Sequence, residues 1–128
     1  MNPDDLKYAE THEWVGFQDG AYVVGITDFA QEQLGEITHV DLPEAGGKVQ
    51  RGDAVAAVDS VKAWSEIYAP VSGAVVAVND ALDTEPELVN KDPYGAGWFF
   101  KMGDVNVSDL DALMNAAAYR EFLNSQEH

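Results

Sequence analysis

Short apolar runs alternate with turn signals along most of the chain. The turn signals are pairs such as Asp19-Gly20 and Gly46-Gly47, and their rhythm favours antiparallel sandwiches or barrels over βαβ units. The run from Gly73 to Val78 is apolar at odd and even positions alike, which predicts a strand buried on both faces. The apolar runs predict strands over residues 14–17, 21–26, 37–42, 54–61, 65–69, 73–78 and 98–102. We therefore expect a mainly β protein.

Two segments have helical spacing instead. Residues 27–34 begin with Thr27 or Asp28 as the N-cap and stop at Gly35, a residue that commonly ends helices. Near the C-terminus, Ser108 is expected to cap a helical segment over about residues 108–123. Its apolar stripe, which we expect to pack onto the sheet, consists of Leu110, Leu113, Met114, Ala117, Tyr119, Phe122 and Leu123. Residues 124–128 are expected to fray.

Length and composition narrow the functional classes. A chain of 128 residues with 46% hydrophobic content fits a single globular domain over residues 1–128. Its 23 acidic and 7 basic residues give a net charge of −16, which disfavours nucleic-acid binding. The absence of Cys excludes disulfides and thiolate zinc sites. No signal peptide or membrane-spanning run is recognisable, so we expect a cytoplasmic protein.

Familiar catalytic constellations are missing from the sequence. His12, His39 and His128 are too far apart for a metal-binding pattern. His12 is expected to lie in a turn or at a strand edge. The Gly95-Ala96-Gly97 run lacks the third glycine and the following helix of a dinucleotide site. These patterns indicate that the chain is not an enzyme.

Lys62 lies between two predicted strands, at the position of a hairpin turn. A single lysine is most often a solvated surface residue. A lysine on a hairpin can also carry a covalently attached group, because the strands fix the base while the side chain moves. Tethering then gives an effective concentration of roughly millimolar at nearby sites. The residues alone leave both interpretations open.

The surrounding run resembles a known modification motif. Asp59-Ser60-Val61-Lys62-Ala63 is similar to the E-S-V-K-A lipoylation motif of the glycine cleavage system H protein family. The resemblance extends from Leu6 to about Phe122. Further similar blocks are His12-Glu13-Trp14, Val24-Gly25-Ile26-Thr27-Asp28, Leu34-Gly35-Glu36, Val40-Asp41-Leu42-Pro43, Ile67-Tyr68-Ala69-Pro70-Val71-Ser72-Gly73, Pro86-Glu87-Leu88-Val89-Asn90 and Asp92-Pro93-Tyr94-Gly95.

The resemblance implies a fold and a function. The fold is a barrel-sandwich hybrid of two antiparallel sheets, lipoyl-domain-like, with short peripheral and C-terminal helices. The function is that of a non-catalytic, monomeric carrier with lipoate on Lys62. The implied partners are a PLP-dependent glycine decarboxylase, a tetrahydrofolate-dependent aminomethyltransferase, dihydrolipoamide dehydrogenase, and a lipoate ligase or lipoyl/octanoyl transferase. That modifying enzyme is expected to recognise Asp59, Ser60, Val61 and Ala63 around the lysine.

The resemblance also implies a cradle for the aminomethyl-loaded arm. Its residues correspond to Glu13, Glu66 and Thr11, with structural pairing as the alternative role of Glu13. Two positions depart from the family pattern. Asp59 stands where Glu is usual, and Trp64 occupies a position that is generally small. Trp64 is expected either to pack along the arm and bias docking or to pack within the hairpin.

Several alternatives remain at this point. Biotin carriers have Met on both sides of the lysine, unlike Val61 and Ala63 here. Lipoyl domains of 2-oxo acid dehydrogenases lack the helical segment that follows Ser108. An H-like protein that only donates lipoyl groups to other enzymes, and a non-carrier binding module, are the remaining alternatives. The non-carrier binding module predicts no modification of Lys62.

Overall fold

The computed structural model describes residues 1–126, and its strands form two antiparallel sheets. The larger sheet has six strands in the order β1-β2-β3-β9-β8-β5, and the smaller has the order β4-β6-β7, so that β7 lies at an edge. The strands are β1 (Lys7–Tyr8), β2 (Glu13–Gln18), β3 (Ala21–Ile26), β4 (Ile37–Asp41), β5 (Lys48–Val49), β6 (Ala54–Ser60), β7 (Trp64–Tyr68), β8 (Gly73–Val78) and β9 (Phe100–Gly103).

Within residues 1–126, five short helices surround the sheets. They are α1 (Asp28–Leu34), α2 (Ala81–Thr84), α3 (Leu88–Lys91), α4 (Val107–Asp111) and α5 (Ala116–Gln126), preceded by a 3-10 turn at Pro3–Asp5. None of the helices described in residues 1–126 is long and apolar enough to cross a membrane.

The main core lies between the two sheets. Val24 of β3 and Val58 of β6 belong to one buried cluster, because each strand turns its apolar residues toward the other sheet. A second cluster joins the larger sheet to α5 through Trp14 and Tyr119. Tyr119 is 5% exposed, so this part of the predicted C-terminal stripe does pack onto the sheet.

The start and end of α1 position the functional site. Thr27 is the N-cap, and its hydroxyl accepts a hydrogen bond from the amide of Ala30 at 3.2 Å. Gly35 ends the helix with φ +78° and donates to the carbonyl of Gln31 at 2.9 Å. A glycine is required here because L side chains rarely adopt this backbone conformation. The predicted helix is confirmed at both ends.

The predicted strands are present, with ends that shift by a few residues. The expectation that both faces of β8 are buried is wrong at Val76, which is 53% exposed. The register of β8 against β9 shifts between Val75 and Ala77, and such an irregularity turns side chains away from strict alternation. β1, β5, α2 and α3 were not predicted.

The C-terminal region differs from the prediction in its caps. Asn106 caps α4 by accepting from the amide of Ser108 at 3.2 Å, so Ser108 lies inside the helix and is not its N-cap. The chain then leaves the helix, and Met114 exchanges backbone hydrogen bonds with Tyr8 at 2.8 and 2.9 Å. α5 begins only at Ala116 and continues to Gln126. Residues 124–126 are therefore helical, whereas the fraying expected for 127 and 128 falls outside the described residues.

Candidate functional site: the Lys62 hairpin and its cleft

Lys62 lies in the turn of the hairpin formed by β6 and β7. The last paired residues are Asp59 and Trp64. Ser60 closes the turn twice: its amide donates to the carbonyl of Ala63 at 2.8 Å, and its hydroxyl accepts from the amides of Ala63 at 3.0 Å and Lys62 at 3.3 Å. Ser60 therefore fixes the backbone from which the lysine side chain projects.

The neighbouring strand holds this turn from one side. The amide of Val61 donates to the carbonyl of Glu36 at 3.0 Å, and the hydroxyl of Thr38 donates to the carbonyl of Asp59 at 3.2 Å. Both partners belong to the segment that runs from α1 into β4. The position of the hairpin is thus tied to the end of α1.

Asn90 fixes that segment from behind. Its side-chain oxygen accepts from the amide of Ile37 at 2.9 Å, and its side-chain nitrogen donates to the carbonyl of Gly35 at 2.8 Å and to Gln31 at 2.9 Å. Asn90 lies in one of the sequence blocks that carry the family resemblance, but the sequence alone assigned it no role. The structure shows that Asn90 holds the segment between α1 and β4, to which the hairpin is hydrogen-bonded.

The side chain of Lys62 is exposed and runs over Gly35. A Cβ atom at Gly35 would lie 3.1 Å from Cε and 3.7 Å from Nζ of Lys62. Within residues 1–126, no carboxylate oxygen lies within 4.0 Å of Nζ. The amine is therefore free of an ion pair and accessible to a modifying enzyme.

A cleft of about 150 Å³ lies between α1 and β7. Leu34, which directly precedes Gly35, forms part of one wall, and Glu66 of β7 belongs to the other. The remaining lining residues are Thr11, His12, Ile26, Phe29, Ala30, Gln33, Ser65 and Ile67. The lining combines apolar residues with one acidic residue, Glu66, and two hydroxyl residues, Thr11 and Ser65. Such a cleft fits an aliphatic arm with a cationic tip, so these residues suit a loaded lipoyl-lysine.

A larger concavity of about 440 Å³ lies near the other end of β7, where Arg51, Tyr68 and Met114 contribute to its wall. It shares Thr11 with the smaller cleft. We assign the smaller cleft to the site because its wall includes Leu34, the chain neighbour of Gly35, over which the side chain of Lys62 runs. The larger concavity has no such connection to the lysine.

Glu13 lies behind the cleft and does not line it. It is 1% exposed, and its carboxylate accepts hydrogen bonds from the hydroxyl of Thr11 and from the amide of Tyr68 at 3.2 Å. Burial raises the pKa of Glu13 to about 7, although these two hydrogen bonds act in the opposite direction. Of the expected cradle residues, Thr11 and Glu66 therefore meet in the cleft, and Glu13 contacts it through Thr11.

His12 forms part of the cleft wall and connects it to α5. Its φ is +74°, its Nδ1 lies 2.8 Å from the hydroxyl of Tyr119, and that hydroxyl lies 2.8 Å from Oγ1 of Thr27. Burial lowers the pKa of His12, which favours the neutral imidazole. The expectation of a turn position is confirmed, whereas this link to the cap of α1 was missed. Among residues 1–126 no His, Asp and Glu cluster is placed to hold a metal.

Comparison with known proteins identifies the family. Residues 6–126 match the family model described as Glycine cleavage H-protein. The chain belongs to this family. The Glycine cleavage system H protein of Listeria monocytogenes serotype 4a (strain HCC23) is 52% identical over 122 residues, covering 95% of this chain and 98% of the relative. That of Thermotoga maritima is 54% identical over 116 residues, covering 91% and 94%.

A solved structure supports the same assignment. The chain is similar to the crystal structure of a glycine cleavage system H protein from Mycobacterium marinum, with a TM-score of 0.80 and 34% identity over 99% of this chain and 100% of that one. The expected family and the mainly β, lipoyl-domain-like fold are thereby confirmed. Because H proteins are lipoyl carriers, the biotin carrier, the dehydrogenase lipoyl domain and the non-carrier module no longer apply.

Proposed function

We propose that this H protein carries lipoate in amide linkage to Nζ of Lys62 and serves the glycine cleavage system as its mobile carrier. The observation that supports this most strongly is the placement of Lys62. The lysine projects from a turn closed by Ser60, carries no ion pair within residues 1–126, and lies over Gly35, the chain neighbour of the cleft residue Leu34. A rigid base with a free amine is what a swinging arm needs.

The proposed partners act in sequence on the carrier. When bound, the lipoyl group supplies a disulfide that takes up the aminomethyl unit from the PLP-dependent glycine decarboxylase and a dithiol that dihydrolipoamide dehydrogenase reoxidises. The aminomethyltransferase collects the unit for tetrahydrofolate between those steps. The chain itself performs no turnover in this scheme. We expect it to act as a monomer in the cytoplasm.

The cleft residues have separate tasks in the proposal. Glu66 presents a carboxylate to the ammonium of the aminomethyl unit, and Thr11 adds a hydroxyl at the same end. Glu13 orients that hydroxyl by accepting a hydrogen bond from it. The apolar walls, including Leu34 and Phe29, exclude water and so protect a unit that is prone to hydrolysis.

Modification requires that a lipoate ligase or a lipoyl/octanoyl transferase recognise the hairpin. Val61 and Ala63 are exposed on either side of Lys62, so they are available for direct contact. Ser60 uses its hydroxyl to close the turn, so its contribution to recognition is the shape of the backbone. Asp59 supplies a negative charge at the base of the hairpin.

Intact-mass measurement tests the attachment. Protein from lipoate-fed cells is compared with the Lys62→Arg variant, which retains the positive charge. We expect an increment of one lipoyl group on the wild-type protein and none on the variant. An increment on both proteins would place the modification elsewhere and overturn the proposal.

Turnover separates a true glycine cleavage carrier from a protein that only donates lipoyl groups. The lipoylated protein is mixed with the cognate decarboxylase, and exchange of labelled carbon dioxide into glycine is followed. We expect exchange that depends on the lipoylated protein and is absent with Lys62→Arg. Full lipoylation without exchange would instead favour the donor role.

A further inference from the structure

Trp64 is a large apolar side chain that is mostly exposed. It is the first residue of β7, lies two positions after Lys62, and is 59% exposed. Within residues 1–126 its indole makes no hydrogen bond and stacks on no other ring. Trp14, by contrast, is fully buried and donates to the carbonyls of Ile26 and Pro93 at 3.0 Å each. More than half of the Trp64 side chain therefore remains available for contact with another group.

A second exposed hydrophobic residue lies beside the lysine. Val61 is 66% exposed, so a large hydrophobic residue stands on each side of Lys62. Single exposed apolar residues are ordinary on protein surfaces, whereas grouped ones mark sites of contact. The full set of exposed large hydrophobic residues in the described part of the chain is Phe17, Val61, Trp64, Val76 and Val107.

We propose that the indole of Trp64 is the resting platform for the dithiolane ring of the lipoyl group when the arm lies outside the cleft. This inference rests on the proposed attachment at Lys62. The tether keeps the ring near the indole at an effective concentration of roughly millimolar. The attraction between sulfur and an aromatic ring makes the contacting state about two- to tenfold more populated than the state without contact.

The position of Trp64 on the strand connects this platform to the cleft. Side chains two residues apart in a strand point to the same face, so Trp64 and Glu66 lie in sequence along one face of β7. The neutral disulfide form suits the apolar indole, and the cationic loaded form suits the carboxylate of Glu66. The charge of the arm then decides which of the two positions it occupies.

Fluorescence of the lipoylated protein tests the contact, because a disulfide quenches an indole that it touches. The emission of Trp64 is obtained as the difference between the wild-type protein and Trp64→Phe, with intact mass confirming the lipoyl group on both. We expect this emission to be about three- to elevenfold lower in the oxidised lipoylated protein than in the unmodified one. The quenching should be static, so that the lifetime of the remaining emission is unchanged.

Reduction provides the reversal. A water-soluble phosphine breaks the ring disulfide into two thiols, taking its oxygen and their protons from one water molecule, and most of the emission should return. Trp98→Phe is the matched control, since Trp98 contacts Lys101 at 5.0 Å from the ring centroid and lies outside the hairpin. The redox-dependent change should persist in that variant.

Other outcomes would overturn the role of Trp64 and leave the proposed attachment of lipoate to Lys62 unaffected. If the Trp64 emission of the lipoylated protein equals that of the unmodified protein, the dithiolane ring does not rest on the indole. If the fluorescence lifetime shortens in the same proportion as the emission, the quenching comes only from random collisions. Unchanged emission together with a raised KM of the decarboxylase for Trp64→Phe would assign the indole to partner docking instead. If no lipoyl increment is found on Lys62, the proposed function fails before this inference is reached.

Discussion

The buried carboxylate of Glu13 accepts a hydrogen bond from the backbone amide of Tyr68 at 3.2 Å. Glu13 belongs to β2 of the larger sheet and Tyr68 to the edge strand of the smaller one, so this contact joins the two sheets beside the cleft. Burial raises the pKa of Glu13 from 4.5 to about 7. The contact is therefore sensitive to pH within the physiological range.

The first prediction concerns stability and pH. Because the folded state keeps the proton on Glu13 at pH values where the unfolded chain has lost it, the contribution of this group to stability is full below about pH 4.5. It falls as pH rises to about 7. The loss amounts to roughly 3 kcal/mol. Glu13→Gln should remove this dependence, since the amide does not ionise.

Urea unfolding of both proteins at several pH values between 5 and 8 measures the effect. The free energy of unfolding of the wild-type protein should decline over that range more steeply than that of the variant. Equal slopes would show that the carboxyl of Glu13 titrates near its ordinary value in the folded protein.

The second prediction concerns Gly35. An alanine there adopts an unfavourable backbone at φ +78° and ψ −157° and brings its Cβ to 3.1 Å from Cε of Lys62. We expect a loss of about 1–3 kcal/mol in stability and a slower rate of lipoylation, because the lysine side chain has to move. Time-resolved intact mass with the modifying enzyme measures that rate.

Gly20→Ala is the matched control. Gly20 also has a positive φ, +83°, but nothing lies within 4 Å of the added Cβ. It should lose stability without any change in lipoylation. If both variants are lipoylated at the wild-type rate, the contact between Gly35 and Lys62 has no role in modification.

The third prediction concerns Asn90. Removing its side chain in Asn90→Ala leaves the amide of Ile37 and the carbonyl of Gly35 without their partner, which should cost about 1–3 kcal/mol. Hydrogen exchange should accelerate at the amide of Val61, whose acceptor Glu36 lies in the released segment. Asn106→Ala, which removes the cap of α4, should leave exchange at Val61 unchanged. Equal protection at Val61 in all three proteins would contradict the proposed support.

The fourth prediction concerns protection of the loaded arm. Glu66→Gln preserves shape and removes the charge that faces the aminomethyl ammonium. A partly exposed ion pair contributes up to about 1 kcal/mol, so loss of the unit should accelerate up to about fivefold. Decay of the loaded protein is followed by intact mass, with the exposed Glu85→Gln as control. Identical decay in Glu66→Gln and wild type would remove Glu66 from the cradle.

Glu13→Ala should also speed decay of the loaded protein, because it frees the hydroxyl of Thr11 from its acceptor. The same intact-mass assay measures it. An unchanged decay rate would leave Glu13 with its role between the sheets alone.

The main strands were predictable because each carries enough apolar residues to reveal its period. β1 and β5 contain two residues each, and α2 and α3 a single turn, so they carry no period to detect. The C-terminal stripe misled the prediction around Met114 because pairing with Tyr8 there prevails over helical spacing. Long-range pairing of this kind has no local signal.

The features of the site likewise fall into local ones, which the sequence predicts, and long-range ones, which it does not. Lys62 and its turn are local features, and the motif around them was sufficient to locate them. The cleft depends on contacts between distant segments, so neither its walls nor the support by Asn90 could be read from spacing. The burial of Glu13 is likewise a tertiary property, and it changes the expected role of that residue from direct contact to action through Thr11.

The hydrogen bond from the amide of Tyr68 to Glu13 has a consequence for aggregation. An edge strand with free amides can recruit the edge of another molecule and begin an aggregate. Here one such amide on β7 is already occupied by a buried carboxylate, which no incoming strand can displace without opening the space between the sheets. We expect this end of the strand to resist intermolecular sheet extension even at high protein concentration.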